Sequence, residues 1–249
     1  MSLIDFFCVQ NKAAIAFSGG VDSTYLLYAA KAAGADVTAY YVRSQFQPAF
    51  EYEDAVREAD RIGARLRVLP VDALADEKVQ ANPENRCYFC KQQIMSAIIR
   101  AAAQDGYALI CDGTNASDQV SDRPGFKALA EFGIRSPLRE CGLTKDMIRQ
   151  KAREAGLSVW DKPAYACLAT RIPAGEPITE EKLRITEQAE TALFSLGFRD
   201  FRVRMRAAAA LVQVKAGQYE EALARKREID AAIGDMYTAV MIDTHTRGS

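Results

Sequence analysis

The stretch that decides the fold is Ala-Ile-Ala-Phe-Ser-Gly-Gly-Val-Asp-Ser, at residues 14–23. A short apolar run, typical of a buried strand, ends in two glycines, and a helix-forming run follows at once. Glycine lets the backbone turn tightly and approach a ligand closely. The start of a helix offers free N–H groups and a positive dipole to an anion. The stretch therefore predicts a cradle for phosphate groups.

The glycine pair is not part of a Walker loop, because no Gly-Lys-Ser/Thr closes it. The order Ser-Gly-Gly-x-Asp-Ser instead resembles the loop of enzymes that split ATP into AMP and pyrophosphate. We therefore predict that the chain uses ATP with Mg²⁺. The alternative is an ordinary strand–turn–helix corner, in which the glycines only make the turn. The predicted ATP-binding residues are Ala16, Phe17, Ser18, Gly19, Gly20, Asp22, Ser23 and Gly113.

Apolar and amphipathic runs alternate over the first two thirds of the chain. Strands are predicted at residues 13–17, 37–42, 65–71 and 107–111, helices at 23–33, 51–62 and 91–104, and a polar loop at 76–86. Such alternation is typical of an α/β fold, in which a parallel twisted sheet has helices on both faces. Ligands of these sheets bind at the carboxyl ends of the strands. The phosphate cradle and the Asp112–Asn115 turn both fall there.

The pattern changes after about residue 160, where Pro163, Pro173 and Pro177 indicate a linker-like stretch. Helices are predicted beyond it at 180–196 and 218–233, and strands at 201–206, 210–215 and 237–243. We therefore predict two domains, residues 1–165 and residues 166–249, of which the second is a small α+β domain.

Composition excludes several classes of protein. With 49% apolar and 26% charged residues, the 249-residue chain resembles a soluble globular protein. Its net charge of −1 offers no general attraction to nucleic acid or to an anionic membrane. The N-terminus lacks the features of a signal peptide, and no apolar run approaches the ~18 residues of a membrane span. We expect a cytoplasmic protein with reduced cysteines, with neither a membrane partner nor a stable nucleic-acid partner.

Three of the six cysteines have neighbours that point to chemistry. Cys87 and Cys90 form a C-x-x-C pair in a predicted polar loop, whereas a free cysteine usually prefers burial. Two unrelated thiols would give the same spacing. Cys167 lies near Lys162 and Arg171, whose charges would stabilise the reactive thiolate. The alternative for Cys167 is a core cysteine at the junction of the two domains.

Charged residues supply the remaining candidates. Arg202, Arg204 and Arg206 alternate with apolar residues, so they would share one face of a strand. That face is either a clamp for phosphate or carboxylate groups or a solvated edge. Asp118 and Asp122 lie in a polar stretch and are candidates to hold Mg²⁺, unless that stretch is plain surface.

Taken together, these residues resemble the LarE family of ATP-dependent sulfur transferases, in the PP-loop ATP pyrophosphatase superfamily. The matching segments run in family order over nearly the whole chain, and the motif around Cys167 is quite specific. They are Ser18–Ser23, Arg86–Lys91, Asp112–Asn115, Asp122–Gly125, Arg135–Leu138, Lys162–Pro173, Pro177–Thr179 and Arg202–Arg204. The run Arg206–Ala210 departs from the family, which has other residues at this turn.

The resemblance implies that the substrate is pyridinium-3,5-biscarboxylic acid mononucleotide, an intermediate of the nickel-pincer cofactor of lactate racemase. AMP would be transferred from ATP to a substrate carboxylate, and sulfur would then replace AMP to give a thiocarboxylate. The resemblance also implies that Arg171, Arg202, Arg204 and Glu190 bind the substrate or its phosphate. Glu221 would lie near that phosphate or a divalent cation. We expect a homo-oligomer.

Two sulfur sources are open. In single-cysteine members of the family, the cysteine at the Cys167 position gives up its own sulfur and becomes dehydroalanine. Three thiolates, from Cys87, Cys90 and Cys167, suit instead a 4Fe-4S cluster with one open iron. We expect the cluster form, resupplied by a sulfur-donor protein or a small-molecule sulfide source.

Three rival functions would share parts of this sequence pattern. A tRNA thiolase of the same superfamily would want a basic surface, and the net charge of −1 argues against it. An amidating synthetase would need an ammonia-producing domain, for which this length has no room. A nucleotide sensor would keep the phosphate cradle but would have no use for reactive thiols.

Overall fold

The structure is a computed structural model, which describes residues 2–119 and 124–247. Its strands are β1 (Lys12–Ala16), β2 (Asp36–Arg43), β3 (Arg65–Pro70), β4 (Ile110–Cys111), β5 (Arg202–Arg206), β6 (Ala209–Gln213) and β7 (Val240–Ile242). Its helices are α1 (Leu3–Val9), α2 (Val21–Ala32), α3 (Ala49–Ile62), α4 (Glu77–Gln80), α5 (Arg86–Gln104), α6 (Pro124–Glu131), α7 (Pro137–Glu140), α8 (Lys145–Glu154), α9 (Glu180–Ser195), α10 (Tyr219–Ala224) and α11 (Lys226–Ile233).

The chain forms two compact units. The first unit comprises Met1–Ala73 and Asn85–Lys162, and the second comprises Leu74–Glu84 and Pro163–Ser249. The sequence predicted one continuous domain up to residue 165, whereas the structure divides after Lys162 and assigns residues 74–84 to the second unit. No helix among the described residues is long and apolar enough to cross a membrane.

The first unit is built on a parallel sheet in the order β3-β2-β1-β4. Successive strand residues pack on opposite faces, because side chains alternate along a strand. Ile15 and Tyr41 join a core formed with α1, α2, α3, α7 and α8. Ala14 and Tyr40 join a core formed with α5 and α6. Helices therefore cover both faces of the sheet, and the predicted α/β fold class is confirmed.

The second unit holds a three-stranded sheet in the order β5-β6-β7, antiparallel between β5 and β6 and parallel between β6 and β7. Helix α9 packs against β5 and α11. Along β5, Val203 and Met205 are buried while Arg202 and Arg204 are partly exposed. The predicted alternation of this strand is confirmed, and so is the small α+β character of the unit.

Several predicted elements were wrong in their bounds. The C-x-x-C pair lies at the start of α5, within its first five residues, rather than in a loop. The predicted helix at 218–233 breaks at Arg225, whose guanidinium bonds Glu221 and Glu228 and so joins α10 to α11. The linker-like stretch contains a 3-10 turn at Leu168–Arg171 and belongs to the core of the second unit, because Arg171 is buried there. Helices α1, α6, α7 and α8 were not predicted.

The predicted loop at 76–86 is partly helical. The Asp76 carboxylate accepts from Lys78 N at 2.8 Å and caps α4. Buried Asn82 donates from Nδ2 to Pro173 O at 2.8 Å and to Glu176 O at 3.1 Å. These bonds explain why residues 74–84 belong to the second unit.

Candidate functional site

The phosphate cradle lies at the carboxyl end of β1 and the start of α2. Gly19 has a φ of 71°, and a Cβ at Gly19 would come 2.9 Å from the Cα of Ala55, so only glycine fits. Ser18 N donates to Ser23 Oγ at 3.2 Å, and Ser23 Oγ donates to Gly20 O at 3.2 Å. Among the described residues, no side chain caps the start of α2. Its first N–H groups therefore remain for an anion.

The cradle opens onto a cavity of about 430 Å³ in the first unit. Most of the predicted ATP-binding residues line this cavity. The exceptions are Gly19, which makes the turn of the loop, and Phe17, whose side chain packs in the core. One wall is apolar, formed by Met95, Phe126 and Leu129. The other lining residues are Ala16, Ser18, Gly20, Asp22, Ser23, Cys87, Lys91, Asp112, Gly113, Thr114, Asp118 and Gly125.

The turn after β4 closes against the start of α2. A Cβ at Gly113 would lie 3.0 Å from Ser23 N and 3.2 Å from Ser23 Cα, so the two backbones approach more closely than a residue with a side chain usually allows. The Asp112 carboxylate fixes this turn, because it accepts from Thr114 Oγ1 at 2.5 Å and from Ser136 Oγ at 2.7 Å. The predicted place of Gly113 beside the cradle is thus seen in the geometry.

Asp22 carries the most unusual electrostatics of the cavity. Its Oδ2 lies 2.5 Å from Lys145 Nζ, while its buried Oδ1 has no hydrogen-bond partner among the described residues. Burial raises the pKa of Asp22 and the nearby Asp118 carboxylate raises it further, whereas Lys145 and Arg149 act in the opposite direction. Asp22 and Asp118 thus offer oxygen atoms to a divalent cation beside bound phosphates, and their chemistry fits Mg²⁺.

The other predicted cation ligands do not join them. Asp122 lies outside the described residues. Glu221 is an exposed residue of the second unit, where its carboxylate pairs with Arg225 at 2.9 Å. Within residues 2–119 and 124–247, no group of three or more His, Cys, Asp or Glu side chains is arranged to hold a metal ion.

The C-x-x-C thiols lie one helical turn apart at the start of α5. Cys87 is exposed and lines the cavity of the phosphate cradle, and Cys90 is partly exposed. Arg86 is buried, and its Nη2 lies 3.8 Å from Cys87 Sγ. Lys91, four residues after Cys87 on the same helical face, also lines the cavity. Sequence reasoning did not single out Lys91, although this spacing would have revealed it once the helix was known.

Cys111 contrasts with these thiols. It lies on β4 with no exposed surface, and burial raises its pKa to about 12. Cys111 is therefore a packing residue of the sheet.

The Cys167 turn belongs to the second unit. Cys167 is partly exposed and directly precedes the 3-10 turn that contains Arg171. Arg171 is buried, and its guanidinium binds the Glu190 carboxylate from Nε at 2.7 Å and from Nη2 at 3.1 Å. Lys162, the last residue of the first unit, pairs with Asp54 at 2.8 Å. That lysine is therefore engaged with α3.

Within the described part of the chain, the arginines of β5 make fewer hydrogen bonds than Arg171 does. Arg204 donates to Gln213 Oε1 at 3.2 Å and to Thr170 O at 3.3 Å. The buried Nε of Arg202 has no hydrogen-bond partner among the described residues. Burial and the neighbouring Arg247 lower the pKa of Arg202 to about 10. A half-buried cation among other cations is suited to bind an anion.

The fold and the phosphate cradle together define the class of protein. A parallel α/β sheet with a Ser-Gly-Gly-x-Asp-Ser loop after its first strand is typical of the PP-loop superfamily. No family model matches the chain. An uncharacterized protein of Synechocystis is 38% identical over 221 residues, which cover 88% of this chain and 82% of that protein. The pyridinium-3,5-bisthiocarboxylic acid mononucleotide synthase of Lactiplantibacillus plantarum is 35% identical over 196 residues, covering 78% of this chain and 71% of the synthase.

A more distant relative, a tRNA-specific 2-thiouridylase MnmA of Clostridium botulinum, is 26% identical over 187 residues, covering 61% of this chain and 52% of that enzyme. This similarity supports the assignment of the chain to the PP-loop superfamily. The similarity to the synthase extends over most of both chains, so the chain belongs to the LarE family.

Proposed function

We propose that this protein is an ATP-dependent sulfur transferase that acts on pyridinium-3,5-biscarboxylic acid mononucleotide. The single observation that carries the proposal is the thiol of Cys87 on the wall of the cavity onto which the phosphate cradle opens. A sensor of nucleotides has no use for such a thiol. The relative named as a bisthiocarboxylic acid mononucleotide synthase supplies the class of substrate.

In the first step, a substrate carboxylate oxygen attacks the α-phosphorus of ATP, and pyrophosphate leaves. The N–H groups at the start of α2 bind the departing phosphates. Asp22 and Asp118 would hold a Mg²⁺ ion, which would neutralise the negative charge of these phosphates, and Lys91 adds a positive charge on the cavity wall. The product is an acyl adenylate, which is activated because AMP is a far better leaving group than oxide.

In the second step, sulfur attacks the acyl carbon, the carbon–oxygen bond to AMP breaks, and a thiocarboxylate forms. We propose that Arg202 and Arg204 bind the phosphate of the mononucleotide, since Arg202 is half-buried and its Nε has no partner among the described residues. On the mononucleotide itself, the attack falls on the acyl carbon, so the pyridinium ring is unchanged.

For the sulfur source we propose the three-cysteine form. The donor chemistry fits a 4Fe-4S cluster, because thiolates are its usual ligands. Cys87 and Cys90 already lie one turn apart on α5, and Cys167 of the second unit would be the third ligand. When bound, such a cluster supplies an open iron that carries sulfide. The alternative is that the Cys167 thiolate attacks the acyl carbon, displaces AMP and forms a thioester. A base then removes the Cα proton of Cys167 and the Cβ–S bond breaks, which leaves a thiocarboxylate on the substrate and dehydroalanine in the chain.

We further propose that the protein works as a cytoplasmic homo-oligomer, resupplied by a sulfur-donor protein or a small-molecule sulfide source. Nucleic acid is not a proposed partner. Salt-sensitive binding of tRNA at micromolar protein would favour the rival thiolase function instead.

The test measures pyrophosphate release and the mass of the protein before and after turnover. The proposal expects pyrophosphate only when the mononucleotide is present, together with a thiocarboxylate product. An unchanged mass and a full complement of iron and sulfide after anaerobic reconstitution support the cluster. A loss of H₂S at Cys167 supports the sacrificial route. A Cys87→Ala protein that retains a full cluster contradicts the three-cysteine form, and pyrophosphate release without the mononucleotide contradicts the proposed substrate.

A further inference from the structure

A buried ion pair joins Arg171 and Glu190 in the second unit. The two side chains are 0% and 2% exposed. Burial alone would lower the pKa of Arg171, but the hydrogen bonds and charge of Glu190 raise it above the ordinary arginine value. The guanidinium therefore stays charged, and its orientation is fixed by two parallel bonds to one carboxylate.

The remaining nitrogen of Arg171 faces the Cys167 turn. Nη1 donates to Ala166 O at 2.9 Å and to Thr170 Oγ1 at 2.8 Å. Thr170 Oγ1 in turn donates to Cys167 O at 2.8 Å. The backbone on both sides of the Cys167 side chain is therefore tied, directly or through one hydroxyl, to a single guanidinium.

Glu190 is itself saturated. A carboxylate offers about four acceptor positions, and Glu190 uses all of them. Oε1 accepts from Arg171 Nε and from Val203 N at 2.9 Å, and Oε2 accepts from Arg171 Nη2 and from the Tyr165 hydroxyl. No position is left for a substrate or a cation. This differs from the ligand role that the family resemblance implies for both residues.

We propose that Arg171 and Glu190 are positioning residues that hold the Cys167 turn for sulfur transfer, and that they do not bind the substrate. The inference rests on the proposed function of Cys167. A buried ion pair adds little net stability compared with apolar residues of similar size. Its effect here is geometric, since a displacement of the reacting group by about 1 Å costs roughly 10²-fold in rate.

The test uses two variants with matched controls. Thr170→Val removes the hydroxyl between Arg171 and Cys167 but leaves the ion pair intact, and Thr170→Ser restores that hydroxyl. Glu190→Gln removes the charge that orients Arg171. Glu181→Gln makes the same substitution on the same helix in an exposed pair with Arg184. Melting curves identify any variant that does not fold, and Thr170→Val carries the test if Glu190→Gln fails.

The readouts are the single-turnover rate of thiocarboxylate formation, the half-saturating concentration of the mononucleotide, and pyrophosphate release. Thr170→Val is expected to lower the maximal rate about 10-fold and Glu190→Gln about 100-fold. Half-saturation and pyrophosphate release should stay within about 2-fold, and Thr170→Ser and Glu181→Gln should match the wild type. A 10-fold rise in half-saturation at unchanged maximal rate would identify substrate ligands and overturn the proposal.

A second readout separates this proposal from the proposed function. Iodoacetamide alkylation of Cys167 is followed by peptide mass spectrometry in the substrate-free protein before any iron or sulfide is added, with Cys87 of the same molecules as the internal reference. The proposal expects Thr170→Val and Glu190→Gln to change the Cys167 rate several-fold relative to that of Cys87. An unchanged ratio overturns the positioning role. If the wild type makes no thiocarboxylate but the ratio changes, the proposed function fails while the positioning of Cys167 stands.

Discussion

The phosphate cradle of the first unit and the Cys167 turn of the second are stabilised in opposite ways. The cradle leaves groups open: the start of α2 has no side-chain cap, and Asp22 Oδ1 is buried without a partner among the described residues. Around the Cys167 turn, Glu190 uses every acceptor position, and four of the five N–H groups of Arg171 donate.

The difference separates binding from positioning. A buried polar group without a partner costs free energy, so open groups indicate where a ligand completes the structure. Polar groups whose hydrogen bonds are all made within the protein indicate where the protein fixes its own conformation. Arg202 belongs to the first kind although it lies in the second unit, because its Nε has no partner among the described residues and its pKa is lowered to about 10. Arg171 belongs to the second kind.

The largest expected effect is on sulfur transfer, which depends on the Cys167 turn and not on the phosphate cradle. Cys167→Ser should lower thiocarboxylate formation by at least about 10³-fold, because a hydroxyl neither binds iron well nor gives up sulfur. Pyrophosphate release from the cradle should remain within about 3-fold of the wild type. Both products are measured in the same reaction, with Cys141→Ser as the control. An equal loss of both activities would show that cradle and turn do not act separately.

The next effect concerns stability and compares two identical substitutions. Arg171→Met leaves the Glu190 charge buried without its partner and should lower the free energy of unfolding by about 3–5 kcal/mol. Arg202→Met removes a charge that burial and neighbouring arginines already disfavour, so its change should stay within about 1 kcal/mol. Urea unfolding followed by circular dichroism gives both values. Equal losses of unfolding free energy in the two variants would contradict the distinction between a paired Arg171 and an unpaired Arg202 Nε.

A third effect tests the close approach inside the cradle. Gly113→Ala places a Cβ 3.0 Å from Ser23 N and should displace the start of α2, raising the KM for ATP about 10-fold. Gly125 also lines the cavity, but a Cβ there would have its nearest neighbour at 3.9 Å. Gly125→Ala should therefore change the KM less than about 2-fold. Steady-state pyrophosphate release measures both, and a similar KM for the two variants would contradict the geometry.

Local features of the molecule were predictable from the sequence, whereas features that depend on distant contacts were not. The cradle was predictable because its signal is local: an apolar run, two glycines and a helix start lie within ten residues. The alternation of Arg202 and Arg204 with buried residues was predictable for the same reason. Both patterns depend only on the repeat of a strand or a helix.

The Arg171–Glu190 pair was not predictable in its role. The sequence could suggest that both residues matter, but their mutual saturation depends on a contact across 19 positions and on Val203 N of another element. The same holds for Asn82, whose bond to Pro173 O spans 91 positions and moves residues 74–84 into the second unit. The predicted helix began at residue 91 rather than at Arg86, although Asn85, at the N-cap of α5, is a residue type that favours this position.

The smallest effect tests whether Arg202 is open to an anion. At pH 7.5, inorganic phosphate should raise the Tm of the wild type by about 2–4 °C more than that of Arg202→Met, because ligand binding stabilises the folded state. The subtraction removes any contribution of the cradle, which both proteins retain. The fold favours the neutral form of Arg202, whereas bound phosphate favours the charged form. At pH 7.5 Arg202 is charged and binds without taking up a proton. Above its lowered pKa it has to be protonated for phosphate to bind, so the difference in Tm should shrink as the pH rises through about 10. A difference that persists unchanged at pH 11 would contradict the lowered pKa of Arg202. No difference at pH 7.5 would place any bound phosphate on groups that both proteins retain, and would mean that Arg202 is as closed to ligands as Arg171.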